Sequence, residues 1–221
     1  MNRSVRNALA EVIRGALHSP APDAQHPQAE PHPLDVLARV LASEDAVEVP
    51  SASACVLGEL VTALPAGGGR RLVVAAPALA AVRDEAAQRV RRALDARRQL
   101  RRRRARPATP LAATLRRAAA LFDARLYFEV HEELEIPWRD ATGDTRRALQ
   151  GLVQLAVGLH HDQAGNRESM RRLFASGRAK LEPYLPRWHG VDVAALLREV
   201  DAYETARERG RAPVAPRLVV A

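Results

Sequence analysis

The chain has 221 residues, 47% hydrophobic and 27% charged, enough for one ordinary domain or a small domain with a long appendage. Its single cysteine, Cys55, excludes an internal disulfide framework and any multi-cysteine zinc site, and reads as a small apolar residue. The net charge of +8 comes from 34 Lys and Arg against 26 Asp and Glu, and all the basic residues but Lys180 are arginine, a bias that GC-rich coding explains as readily as function does.

The opening MNRSVRNALAEVIRGAL is broken by Glu11 and Arg14 and makes a poor secretory core. The longest apolar run, Leu72 to Val82, is 11 residues with a proline inside, too short to span a bilayer. The expectation is a cytoplasmic protein with no membrane span. Residues 1–33 read as a helix followed by a flexible linker, because residues 18–33 hold five prolines and three histidines.

Residues 34–107 are harder to read. LDVLARVLA suits a short helix and DAVEV a strand. SACVLGELVTAL is apolar at helical spacing up to a stop at Pro65 and Gly67-Gly68-Gly69. RRLVVAA is strand-like, with β-branched Val73 and Val74, and a long Ala/Arg helix follows Pro77. Together these make a β-α-β-α fragment. The three glycines precede a strand, whereas a phosphate loop follows one, so no nucleotide cofactor is assigned.

Residues 89–106 hold ten arginines and one acid, Asp95. That segment alone carries +9, so the rest of the chain sums to −1. Two readings stand. One is a phosphate-contacting helix for nucleic acid or an anionic surface, through Arg97, Arg98, Arg101, Arg102, Arg103 and Arg104. The other is a solvated helix end.

All eight aromatic residues lie between Phe122 and Tyr203. The better-packed domain is therefore expected at residues 108–209, with thin packing before it. Thr109-Pro110 starts a helix with apolar residues at Leu111, Leu115, Ala118, Leu121 and Phe122. RLYFEVHEELEIPW follows, and Pro137 is expected to weaken its last turn. The next helix is capped by Thr142 or Asp144 and closed by Gly165. Asn166 caps a fourth, and a fifth runs from Asp192 to about Arg209. No strand pattern appears. The fold class is all-α: an antiparallel helical bundle-like C-terminal domain after a poorly defined N-terminal half. Residues 210–221 read as a loosely held tail.

Two segments place polar groups among core residues. In a helix, His131 and Glu135 share one face, with Glu132 beside it. Gln150, Gln154 and His161 fall on one stripe of the next helix, together with Val157 and Gly158. Buried polar groups need partners, and these two sets are each other's obvious ones. One reading is a divalent-metal site that activates water for hydrolysis, with Glu132 or Glu135 as general base. The other is a satisfied structural network closed by the Gln154 amide and the Trp138 indole N–H. The motif is HEELE, not the HExxH of zinc proteases. Glu133 is expected to face solvent, His160 to lie at the surface or at a helix end, and Tyr184 and Trp188 to pack near a turn.

With these residues on view, the stretch from about Leu121 to Leu181 resembles the family called domain of unknown function 309. The resemblance rests on His131, Glu135 and Trp138 as an HxxxExxW block. A second block follows in Gln150, Gly151, Gln154, His161, Gly165 and Asn166. It departs from the pattern at Ala148, where the family usually has proline, and at Pro137. The resemblance implies a short all-helical domain of a kind commonly labelled a metal-dependent hydrolase, without an established substrate. Combined with the residue reading, it gives His131, Glu135 and His161 as metal ligands and Glu132 as the acid/base. Trp138, Gln150, Gln154 and Asn166 then form the pocket or its network. The competing reading is a non-enzymatic helical module.

Overall fold

The computed structural model describes residues 1, 3–18, 31–64, 70–102 and 107–221. Helices dominate, the sheets are small and antiparallel, and the chain forms two compact units, Met1–Arg101 and Arg102–Ala221. No helix among the described residues is long and apolar enough to cross a membrane. Most of the proline-rich stretch, the Pro65–Gly69 stop signal, Arg103 and Arg104 lie outside the described residues.

The first unit runs α1 (Arg3–His18), α2 (Pro33–Ala42), β1 (Val47–Pro50), α3 (Ser51–Leu57), a single 3-10 turn, β2 (Val61–Leu64), β3 (Arg70–Ala75), α4 (Pro77–Ala80) and α5 (Arg83–Arg102). Pro33 opens α2, and His32 caps it by accepting from the Leu34 N–H at 3.1 Å. Burial, reinforced by Arg97, holds the His32 imidazole below its ordinary pKa, consistent with that accepting role. The β-α-β-α reading is corrected in one place: Val61–Leu64 is a strand rather than a helix end. Its β-branched Val61 and Thr62 pair with β3, which lies between β1 and β2 and is antiparallel to both.

The expectation of thin packing here is overturned. Leu9, Ile13, Leu34, Leu37, Leu57, Leu60 and Leu79 are fully buried, so branched aliphatics fill the core that aromatics fill elsewhere. Cys55 is exposed rather than tucked in with them.

The second unit holds α6 (Pro110–Asp123), α7 (Tyr127–Asp140), α8 (Gly143–Gln163), α9 (Arg167–Leu181) and α10 (Val193–Glu208). Side-chain caps start three of them: Thr109 accepts from Ala112 N–H at 3.1 Å, Asn166 from Ser169 at 3.0 Å and Asp192 from Ala195 at 2.9 Å. Pro137 does not shorten α7, which runs on to Asp140. A proline removes only the N–H that would meet the Glu133 carbonyl, and the carbonyls left open where the helix ends are met from outside it. The Arg146 Nη1 donates to the carbonyls of Trp138, Arg139 and Ala141 at 2.9, 3.1 and 3.3 Å.

Two other expectations are corrected. A two-residue hairpin, β4 (Arg187–Trp188) with β5 (Val191–Asp192), turns at His189 and Gly190, both at positive φ. Such short strands leave no alternating pattern to read. The C-terminal tail is held. Leu218 is buried, Val220 bridges Val191, and main-chain bonds join Asp192 to Val219 at 3.0 Å and Ala221 to Gly190 at 2.9 Å.

Helices α8 and α9 approach closely at glycines. A Cβ on Gly158 would lie 2.7 Å from the Phe174 ring, and one on Gly151 2.7 Å from Leu181 Cγ and 3.1 Å from the Gly177 carbonyl oxygen. Gly158→Ala is therefore expected to destabilise the unit by about 1–3 kcal/mol through overpacking, outweighing a helix-propensity gain of about 1 kcal/mol. Urea unfolding followed by tryptophan fluorescence checks this, since both tryptophans lie in this unit; a stabilised variant would refute the close approach.

Candidate functional site

Helix α7 is apolar along Tyr127, Val130 and Leu134, all buried. Its neighbouring stripe carries His131, Glu135 and Trp138, spaced four and three apart, which brings them to one face at 3.6 residues per turn. All three are half-buried.

His131 is flanked on both ring edges. Nδ1 lies 3.3 Å from Glu132 Oε1, and Nε2 lies 3.9 Å from Glu135 Oε2. The Arg139 guanidinium holds the other Glu135 oxygen at 3.2 Å. One donor atom from each of His131, Glu132 and Glu135 falls within 4.8 Å of the others. The side chains are about 29%, 30% and 28% exposed, so the group opens to solvent without lying on the open surface.

Two ring contacts fix how α8 runs past this stripe. Phe128 lies 6.1 Å from the His131 ring and 5.7 Å from the His160 ring of α8. At the other end, the Arg146 guanidinium stacks 4.1 Å over the Trp138 ring. The helices are thus antiparallel, in a register that brings Gln154 level with His131 and Gln150 level with Glu135. His160, in the last turn of α8 as expected of a helix-end residue, packs against Phe128.

The closed-network reading fails at its two closing atoms. Trp138 Nε1 and Gln154 Oε1 are both buried, and neither has a hydrogen-bond partner. An orphaned buried polar group costs about 1–3 kcal/mol, so this stripe carries polar capacity that the chain itself does not use.

The remaining predicted site residues are placed as follows. Gln150 is half-buried on α8. His161 is half-buried, its ring 6.3 Å from that of His160, and is not one of the three grouped residues. Asn166 is accounted for by its cap on α9. Glu133, expected in solvent, is fully buried, with Oε1 accepting from Arg117 Nε at 2.7 Å. It falls beside the apolar stripe, on the side covered by α6.

The spacing of the two blocks now sits on a pair of facing antiparallel helices. Residues 115–173 match the family model described as Domain of unknown function (DUF309). The DUF309 match takes in most of α6, all of α7 and α8 and roughly the first half of α9, so it frames the whole His131 group. No curated protein and no solved structure matches the chain.

Sequence reasoning missed two groups in this unit. Asp162, buried near the end of α8, accepts from the Tyr203 hydroxyl at 2.6 Å and from Arg207 Nε and Nη2 at 2.8 and 2.6 Å. Arg146 was missed because it reaches α7 across a turn, where helical spacing gives no signal.

Proposed function

We propose that the DUF309 segment carries a divalent-metal site on α7 used for hydrolysis. The observation that supports it is the convergence of one imidazole and two carboxylates within 4.8 Å on a half-open helix face. Imidazole and carboxylate are the usual protein ligands of zinc, manganese and iron, so the donor set fits such a cation. His131 Nε2 and Glu135 Oε2 would hold it. A bound divalent cation supplies Lewis acidity for the attack of water.

The protein's own groups then have distinct tasks. Glu132, whose Oε1 lies 3.3 Å from His131 Nδ1, would be the carboxylate that takes a proton from an attacking water. Arg139 orients Glu135 by holding its outer oxygen. His161, on α8, is not one of the three grouped residues and is left out of the ligand set. The substrate-side wall is Phe128 and Trp138.

Elemental analysis of the purified, tag-free chain beside His131→Ala tests this reading. Near-stoichiometric zinc, manganese or iron is expected in the parent and its loss in the variant. Absence of metal from both after incubation with these ions would overturn the proposal.

A second reading concerns the arginine helix. Arg91, Arg101 and Arg102 are exposed on α5, and a phosphate backbone is their natural counterpart. Among the described arginines of this stretch, Arg97 is buried on Asp35 at 3.2 Å, while Arg98 pairs with Asp95 and stays exposed. Salt-sensitive nucleic-acid binding that survives deletion of residues 89–106 would refute it.

A further inference from the structure

Arg146 is unusual among the arginines of the second unit. Nη1 alone makes all three of its hydrogen bonds, to the carbonyls that end α7. Its plane is stacked on Trp138. It is half-buried, yet no carboxylate among the described residues meets it, and its Nε and Nη2 have no acceptor. Neither nitrogen is sealed from solvent. The guanidinium is thus immobilised on one corner and on its face, while its two-nitrogen edge is open.

That edge is the one that binds a planar pair of oxygens through two parallel N–H donors. Its stacking partner, Trp138, lies on the same α7 stripe as His131 and Glu135. Trp138 is three residues beyond Glu135 on the same stripe, about 4.5 Å along the helix axis. The indole N–H of the same tryptophan is buried and unpartnered, a second donor without an acceptor beside the guanidinium. Arg83 makes a similar triple contact with the carbonyls ending α2, but has no aromatic ring beneath it and no His/Glu group one turn away.

We propose that Arg146 is the anion-holding residue of the α7 site, and that the site takes a substrate bearing an oxyanion, either a phosphoryl or a carboxylate group. This deepens the hydrolase reading and rests on it for the reaction. It assigns Arg146 to binding and leaves the proton transfers to Glu132.

The test is calorimetric titration of the metal-free full chain with inorganic phosphate and, separately, with acetate. The parent, Arg146→Gln, Arg146→Lys and Arg172→Gln are compared, and far-ultraviolet circular dichroism confirms that each is folded. The parent is expected to bind at least one anion. Arg146→Gln is expected to weaken that binding by about tenfold or more. Arg146→Lys keeps a donor for the α7 carbonyls but loses the fork, so it should recover the binding only in part. Arg172→Gln, which removes an exposed α9 guanidinium outside the site, should bind as the parent does. Preference for phosphate identifies a phosphoryl substrate, and preference for acetate a carboxylate one.

Two results overturn the assignment: no binding of either anion by the parent, or parental affinity in Arg146→Gln. If Arg146→Gln fails to fold, parental affinity in a folded Arg146→Lys does the same. A chain that takes up metal but shows no Arg146-dependent anion binding loses this inference alone. A chain that binds anions through Arg146 but takes up no metal loses the hydrolase reading and keeps the anion site.

Discussion

Glu133→Ala is expected to cost the second unit about 3–5 kcal/mol, the range for breaking a buried ion pair from one side. The Glu133 side chain is fully buried and Arg117 is only 18% exposed, so deleting the carboxylate leaves a guanidinium in a poorly solvated position. Arg117 also donates to Thr114 at 3.0 Å, a neutral contact that cannot replace the lost charge. Glu133→Gln, which keeps an acceptor of the same shape, should cost clearly less. The double replacement Glu133→Leu with Arg117→Leu should be less damaging than the single Glu133→Ala change, because no charge is left unpaired. Urea unfolding read by tryptophan fluorescence isolates this unit, since Trp138 and Trp188 both belong to it. A loss below about 1 kcal/mol for Glu133→Ala would mean that water reaches Arg117 and that the pair is effectively a surface one.

Asp162→Ala should cost about 3 kcal/mol, the lower end of the same range, because Arg207 is 29% exposed and keeps some hydration. The damage is shared by two donors. Tyr203 and Arg207 both end on Asp162 Oδ2, tying α10 to the end of α8. The same network makes a pH prediction. Burial and the hydrogen bond to Asp162 push the Tyr203 hydroxyl up from 10.0 to about 12. The folded protein therefore holds this proton where the unfolded chain releases it. The contribution is complete below pH 10 and is lost as pH rises from 10 through about 12, a span worth about 3 kcal/mol. Tyr203→Phe should flatten the fall in stability across that window. Identical pH dependence in parent and variant would exclude Tyr203 as its source.

The metal and anion experiments read chemistry that these stability measurements do not. His131 and Arg146 lie at a half-open face, whereas Glu133 and Asp162 are buried. A metal-binding defect in His131→Ala without loss of stability would separate site from scaffold on α7 itself.

Much of the architecture was legible because it depends on local periodicity. The spacing of Leu115, Ala118, Leu121 and Phe122 made α6 recognisable, and Thr109, Asn166 and Asp192 marked helix starts through their own side-chain chemistry. The HxxxExxW stripe follows from the helical repeat, so His131, Glu135 and Trp138 could be placed on one face before any neighbour was known. In the first unit β3 was readable from its paired valines. β2 was not, because Val61–Leu64 has no pattern of its own and becomes a strand only by pairing with β3.

The tertiary structure alone decided which charges are buried and which polar groups meet. Glu132 and Glu133 are adjacent acids in one helix, and nothing in their spacing says that one is half-open beside His131 while the other is sealed against α6. Burial is set by where the next helix lies, and that depends on turns whose geometry a periodic pattern does not encode. The same holds for Arg146, whose reach to α7 crosses the turn at Ala141 and Thr142. It holds too for the tail, whose valines pair with β5 residues almost thirty positions earlier. Sequence determined the faces of the helices; packing determined which of those faces remained available for chemistry.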